Sequence, residues 1–128
     1  MSVEIREVRT IRDLKKFVRY PLTLYKDNPY YVPSLYADEM NTLRVDKNPA
    51  FADAKARYWL AYQNGRIVGR VAAIHVPKHE HKWGDKYLRF GWLDFIDDPE
   101  VVKALISRVE EWAIELGMNG VHGPLGFT

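Results

Sequence analysis

The chain has 128 residues, of which 47% are hydrophobic and 13% aromatic, a formal net charge of +2, and no cysteine. This length suits a single domain with one core, and the apolar content excludes a disordered chain. The charge excess is too small to indicate a nucleic-acid binder, no apolar run approaches the ~20 residues of a membrane span, and the lack of cysteine excludes disulfides and thiolate metal sites. We therefore expect one soluble, cytoplasmic domain over residues 1–128.

The first third of the chain predicts a strand followed by two helices. Apolar and charged residues alternate over residues 2–8, which is typical of a half-exposed strand. Thr10 and Asp13 resemble a capping box at the start of a first helix, which we expect Pro21 to interrupt. After a turn rich in proline and tyrosine, Ser34 is placed to cap a second helix.

The middle of the chain predicts a β-hairpin. Two β-rich runs flank Asn64-Gly65, and these two residue types tolerate the positive φ angles of a type I′ turn. An uninterrupted register would pair Gln63 with Arg66, Tyr62 with Ile67, Leu60 with Gly69 and Trp59 with Arg70. The last pair would place a guanidinium over an indole.

The strand predicted next, over residues 88–96, is apolar on both faces and should lie inside a sheet. Strict alternation would place Phe90, Trp92 and Asp94 on one face and Leu93 and Phe95 on the other.

The last third predicts a helix and a final strand. Asp98, Pro99 and Glu100 are typical of a helix start, and apolar residues follow at helical spacing until Gly117. A short strand over residues 120–127 would then lie parallel to its neighbour, because a strand-helix-strand unit crosses over in this way. The expected fold class is therefore α/β, with the order β-α-α-β-β-β-α-β.

This order and four sequence segments resemble the GNAT superfamily, the acyl-CoA-dependent N-acyltransferases. The hairpin around Asn64-Gly65 is similar to the hairpin of those enzymes. The prolines and tyrosines of residues 28–33, the Phe90-Gly91-Trp92 run and residues 122–127 look like the N-terminal part of a larger bacterial GNAT-like group. The resemblance implies a mixed sheet, truncated here before the last helix and strands of the family.

The resemblance also implies acetyl-CoA or another acyl-CoA as co-substrate, and a small molecule or amine as acceptor. In the family, backbone N–H groups between a strand and the next helix bind the CoA pyrophosphate. The matching backbone here is that of Phe95, Ile96 and Asp97. This stretch has no glycine, and Asp97, Asp98 and Glu100 place negative charge where an anion would bind.

Two residues are candidate catalytic groups. Asp94 lies close to where the family binds its acceptor, and burial beside aromatic side chains would make it a stronger base. The alternative is a carboxylate paired with an arginine or a backbone donor. His122 precedes Gly123-Pro124 and is either a second candidate or a hydrogen-bonded structural residue.

One cluster has the composition of a metal site. His75, His79 and His81 lie near Glu80 and Asp85, but Pro77 and a turn separate them. No regular element would present all three imidazoles together, so we interpret the segment as a solvated loop and expect no metal.

The chain stops at Thr128, inside or just after the last predicted strand. In the family, a further helix and two strands follow. Either the chain is a fragment of a longer protein or a second copy covers the bare strand edge, and for the isolated chain we expect a homodimer.

The sequence therefore predicts an acyl-CoA-dependent N-acyltransferase domain with weak or no activity by itself. The competing interpretation is a non-catalytic GNAT-fold binding or assembly module. The segment around Asp97 and Asp98 distinguishes the two, and its charge favours the second.

Overall fold

The computed structural model describes residues 2–33, 35–77 and 86–124. Within these ranges, five strands form one sheet in the order β1-β2-β3-β4-β5. The elements in chain order are β1 (Glu4–Glu7), α1 (Ile11–Leu24), α2 (Tyr36–Leu43), a 3₁₀ turn (Pro49–Ala52), β2 (Lys55–Gln63), β3 (Arg66–His75), β4 (Tyr87–Phe95), α3 (Pro99–Glu115) and β5 (Gly120–His122). The predicted order is confirmed. The predicted antiparallel early strands and final parallel pair are confirmed as well.

Local sequence signals act as predicted at three places. The Thr10 hydroxyl accepts a hydrogen bond from the Asp13 amide at 3.1 Å. Asn64 and Gly65 have φ angles of 51° and 75°, the left-handed values that the hairpin turn requires. At the start of α3, the Asp98 carboxylate accepts from the Glu100 amide at 3.0 Å. Each signal depends on residues within three positions of one another, which is why the sequence alone predicts it.

Helices cover both faces of the sheet. On one face of the sheet, Trp59 and Val71 are buried against residues of α3 that include Leu105. On the opposite face, Leu60 and Ala72 pack against α1 and α2. The helix α3 lies very close to β3 at Gly69, where a Cβ atom would come within 2.9 Å of side-chain atoms of Val101 and Leu105. Glycine is therefore needed at position 69 for the helix to pack at this depth.

A bulge in β3 overturns part of the predicted hairpin register. Gln63 pairs with Arg66 and Tyr62 with Ile67, as expected, but Ala61 then pairs with Gly69, so Val68 is an extra residue. Leu60 consequently lies opposite Arg70, and Trp59 lies opposite Val71. The predicted contact between Arg70 and Trp59 is wrong, and the guanidinium over Trp59 belongs to Arg57, at 5.0 Å.

A second irregularity in β4 overturns the predicted alternation. Arg70 pairs with Asp94 and Ala72 with Gly91, so Trp92 and Leu93 together oppose Val71. Trp92 adopts a φ of 47°, which is unusual for a non-glycine residue and reverses the alternation. Phe90 therefore packs toward α3 while Trp92 packs toward α1 and α2, so they do not share a face.

The helices differ from the predictions at two places, a proline inside α1 and the N-cap of α2. The helix α1 continues through Pro21 to Leu24 and is not interrupted. The helix α2 begins at Tyr36 with Leu35 as its N-cap residue and no capping side chain, and the predicted cap, Ser34, lies outside the described residues.

The parallel strands β4 and β5 are paired only at one end. Tyr87, Leu88 and Arg89 oppose Gly120, Val121 and His122, and β4 then continues to Phe95. Residues 125–128, which include the predicted end of the last strand, lie outside the described residues. In the described sheet, β1 and β5 are the edge strands.

Candidate functional site

The predicted candidate Asp94 lies in a buried ion pair beneath α1. Its Oδ2 accepts a hydrogen bond from the Arg70 Nε at 2.9 Å, and the NH2 atom of the same guanidinium lies 2.8 Å from this oxygen in an ion pair. Its Oδ1 accepts from the Tyr25 hydroxyl at 2.8 Å. The Arg70 side chain is only 7% exposed and that of Asp94 19%, so the pair is largely shielded from water.

Arg70 also explains how α1 accommodates Pro21. Proline has no N–H to donate to the carbonyl four residues earlier, which is that of Phe17. The Arg70 NH1 donates to this carbonyl at 2.8 Å and replaces the missing helical hydrogen bond. The guanidinium also lies 5.0 Å from the centre of the Phe17 ring. Arg70 thus joins β3, β4 and α1.

Two tyrosines surround the ion pair. Burial, the hydrogen bond to Asp94 and the charge of Asp94 together raise the pKa of Tyr25 to about 12. Burial and the nearby Asp94 charge raise the pKa of Tyr20 to about 12, and its buried hydroxyl has no hydrogen-bond partner among the described residues. Both tyrosines therefore hold their protons firmly at neutral pH.

The β4 irregularity forms the adjoining part of the site. The Trp92 indole N–H donates to Glu39 of α2 at 3.1 Å. Tyr31 stacks on Tyr25 with ring centroids 4.6 Å apart. Glu39 of α2 thus contacts β4 at the residue where the strand leaves regular geometry, and two stacked tyrosines from the segment after α1 lie beside Asp94.

This geometry matches the second of the two interpretations of Asp94, in which the carboxylate is paired with an arginine. Both carboxylate oxygens accept hydrogen bonds, so a proton transfer to Asp94 would first have to disrupt the pair. Its catalytic role stays a prediction. Arg70 and Tyr25 were not predicted as partners of Asp94. One signal was available, because Arg70 is the single charged residue in the apolar run from Ile67 to Ile74.

The second candidate, His122, is not brought together with Asp94. It ends β5 as an exposed residue and lies opposite Arg89. Asp94 is five residues farther along β4, and at about 3.3 Å per residue the two lie roughly 15 Å apart. The two residues therefore do not form one catalytic pair, and a role for His122 stays a prediction.

Backbone groups at the start of α3 are largely engaged within the protein. Phe95 pairs with Gly69 in the sheet, and the Ile96 amide donates to the Val68 carbonyl at 3.0 Å. The amide of Val101 donates to the Asp98 carbonyl at 3.0 Å. The Asp98 side chain caps the helix through one oxygen and accepts from Gln63 at 3.2 Å through the other.

The predicted histidine cluster falls largely outside the described residues. Only His75, at the end of β3, is described, whereas His79, Glu80, His81 and Asp85 are not. Among the described residues, no group of three or more histidine or acidic side chains could hold a metal ion. The same part of the chain contains no helix long and apolar enough to cross a membrane.

Sequence comparison finds two curated relatives. The chain is 34% identical to Protein YghO of Escherichia coli K12 over 124 residues, which are 97% of this chain and 32% of that protein. It is 30% identical to the bacterial ceramide synthase of Caulobacter vibrioides over 128 residues, which are 99% of this chain and 33% of the synthase. The chain thus spans about a third of the length of these relatives. No family model matches it.

Structure comparison identifies the fold. A tandem GNAT protein from the clavulanic acid biosynthesis pathway superposes with a TM-score of 0.67 at 18% identity, over 91% of this chain and 34% of that protein. A predicted acetyltransferase from Clostridium acetobutylicum, solved with acetyl-CoA, superposes with a TM-score of 0.60 at 13% identity, over 98% and 82% of the two chains. The chain has the GNAT fold.

The start of α3 in this GNAT-fold chain does not suit the pyrophosphate of an acyl-CoA. Pro99 has no N–H, and the Glu100 amide is held by the carboxylate of Asp98. Asp97, Asp98 and Glu100 add negative charge at the helix end that would otherwise attract an anion. The assignment of the backbone of Phe95, Ile96 and Asp97 to cofactor binding stays a prediction.

Proposed function

We propose that the protein is an acyl-CoA-dependent N-acyltransferase of the GNAT type, and that this chain has weak or no activity by itself. The observation that carries the proposal is the GNAT fold, shared with solved acetyltransferases over most of the chain. One curated relative is named a ceramide synthase, and ceramide is the amide of a fatty acid with a long-chain amino alcohol. That chemistry is also acyl transfer to an amine, and the acceptor proposed here is a small molecule or an amine.

The weak activity proposed for this chain follows from the start of α3. A transferase must hold its acyl donor, and the amides and charges around Asp98 oppose an anionic donor at this place. The same observation favours a second candidate function, a GNAT-fold module that binds or assembles without catalysis. Recovery of donor binding after these charges are removed separates the two.

Calorimetric titration with acetyl-CoA is expected to show no saturable binding by the unmodified chain below about 0.1 mM. The double variant Asp97→Gly, Asp98→Asn removes two charges and keeps a capping side chain. Each charge at a helix N-terminus contributes up to about 1 kcal/mol, so this variant should bind acetyl-CoA roughly tenfold more tightly.

The matched control is Asp27→Gly, Asp38→Asn, which removes two exposed carboxylates elsewhere, one of them in the first turn of α2. It should leave acetyl-CoA binding unchanged. A submicromolar dissociation constant for the unmodified chain would contradict the proposed weak donor binding. If the α3 variant gains nothing over the control, the non-catalytic module is the better description.

We further propose that the isolated chain forms a homodimer through its C-terminal region. The strand β5 is an edge of the described sheet, and Val121 on it packs against the core under α3. Unpaired backbone groups on an edge strand favour association with a second chain. Multi-angle light scattering at micromolar concentration should give twice the 15.0 kDa mass of the chain. Phe127→Asp should lower that mass, whereas a stable monomer for the unmodified chain would rule out the dimer.

A further inference from the structure

A groove of about 620 Å³ lies at the end of the sheet where β2 begins. Its walls are the β1–α1 connection, the end of α2, the 3₁₀ turn and the first residues of β2. Lys55, the first residue of β2, pairs with His75, whereas Phe95 before α3 pairs with Gly69. His75 and Gly69 are six residues apart on β3, which is about 20 Å along the strand. The groove is therefore separate from the proposed acyl-CoA region.

The floor of the groove is apolar. Leu14 and Leu43 are 5% and 2% exposed and line it together with Ala54 and Ala56. The Tyr58 hydroxyl, at the same floor, already donates a hydrogen bond to the Leu43 carbonyl at 2.8 Å. A ligand portion resting on this floor therefore meets hydrocarbon and no unsatisfied donor.

The rim of the groove is cationic. Four basic and two acidic residues line it, namely Arg9, Arg44, Lys55, Arg57, Glu7 and Asp46. Both acids are already engaged, since Glu7 accepts two hydrogen bonds from Arg57 at 2.7 and 3.0 Å and Asp46 accepts two from Arg44 at 2.7 and 2.9 Å. Lys55 forms no ion pair with any residue in the described part of the chain.

The hydrogen bond from Arg57 is the main cause that holds the pKa of Glu7 below its ordinary value. Glu7 and Asp46 are thus ionised and paired at neutral pH, Glu7 with Arg9 as well as with Arg57. Glu115 of α3 also pairs with Arg57, at 3.9 Å. Four basic residues therefore face three acidic ones, which leaves one positive charge in excess at the rim. Such a rim attracts an anion and repels a cation. The volume is within the range of about 300–1,000 Å³ that small-molecule sites occupy.

We propose that this groove binds a long-chain carboxylate, with the alkyl chain on the floor and the head group at Lys55. An apolar floor under a cationic rim complements an anionic amphiphile, and the charge argues against a long-chain amine. The site goes beyond the proposed acyl transfer, because it lies at the opposite end of the sheet and does not depend on acetyl-CoA binding.

The test is calorimetric titration of the full chain with hexadecanoate below its micelle concentration. One molecule per chain should bind, and octanoate should bind at least about tenfold more weakly because less apolar surface is buried. Hexadecyltrimethylammonium, which has the same chain and a cationic head, should also bind at least about tenfold more weakly. Absence of saturable hexadecanoate binding, or equal affinity for the two head groups, would overturn the proposal.

Two variants test the contact with the head group and the contact with the alkyl chain separately. Lys55→Glu should weaken hexadecanoate binding about fivefold, while Lys103→Glu, the same change on α3 away from the groove, should not. Ala56→Phe should fill the floor and weaken hexadecanoate and octanoate alike, with a thermal melt to confirm that it folds. Equal behaviour of the two lysine variants would contradict the assigned head-group position. If Ala56→Phe changes only the mass measured by light scattering, the groove binds a second chain instead.

Discussion

Replacing Arg70 with Met is expected to destabilise the chain by about 3–5 kcal/mol, the usual cost of removing one partner of a buried ion pair. The variant leaves the Asp94 carboxylate with only the Tyr25 hydroxyl, and it leaves the Phe17 carbonyl beside Pro21 without a donor. Urea denaturation measures the loss. The control is Arg108→Met, which removes an exposed pair with Glu111 and should cost no more than about 0.5 kcal/mol.

Two second-site changes test the assigned contacts separately. In the Arg70→Met background, Pro21→Ala supplies the missing backbone N–H and should recover about 1 kcal/mol. Asp94→Leu in the same background removes the unpaired charge and should also recover stability, because an apolar pair commonly replaces a buried ion pair at little cost. Equal stability losses for Arg70→Met and Arg108→Met would show that the buried cluster does not hold α1 on the sheet.

Replacing Leu105 with Ala is expected to cost about 3 kcal/mol, since the side chain is fully buried between α3 and β3 and its removal leaves a cavity. Ile114 is on the same helix but 76% exposed, so Ile114→Ala should change the free energy of unfolding by no more than about 0.5 kcal/mol. Urea denaturation of both variants measures the difference.

The close approach of α3 to Gly69 allows a second test of the packing around Leu105. Gly69→Ala places a methyl group 2.9 Å from the Leu105 Cδ1 atom in the unmodified chain, which should cost about 1–3 kcal/mol as overpacking. In the Leu105→Ala background the same change should cost less, because that Cδ1 atom is gone. An equal cost in both backgrounds would contradict the assigned packing of α3 on β3.

The candidate site was only partly predictable from the sequence. An arginine was one of the two possible partners predicted for Asp94. The sequence did not identify that partner as Arg70, 24 residues earlier, and it did not predict the contact with Tyr25, the residue that follows α1. The predicted register had assigned Arg70 to Trp59. Because the extra residue Val68 shifts the hairpin by one position, Arg70 lies opposite Leu60 and packs beneath α1.

The sequence by itself determined the elements whose causes are local. Asn64-Gly65 turns the hairpin, and Thr10 and Asp98 start helices, because neighbouring residues supply both the backbone freedom and the hydrogen-bond partners. The order of elements follows from these signals and from apolar periodicity, which is why the fold class was predictable.

Only the tertiary structure decided which side chains meet. A bulge reverses the alternation of side chains at Trp92. Pro21 remains inside α1 because the Arg70 guanidinium, from β3, donates to the carbonyl that the proline leaves without a partner. The same holds for the groove near Lys55, whose lining extends from Glu7 of β1 to Trp112 of α3, about a hundred residues apart along the chain. Such contacts depend on register and on the depth at which helices pack, and these are set by the summed packing of the whole core.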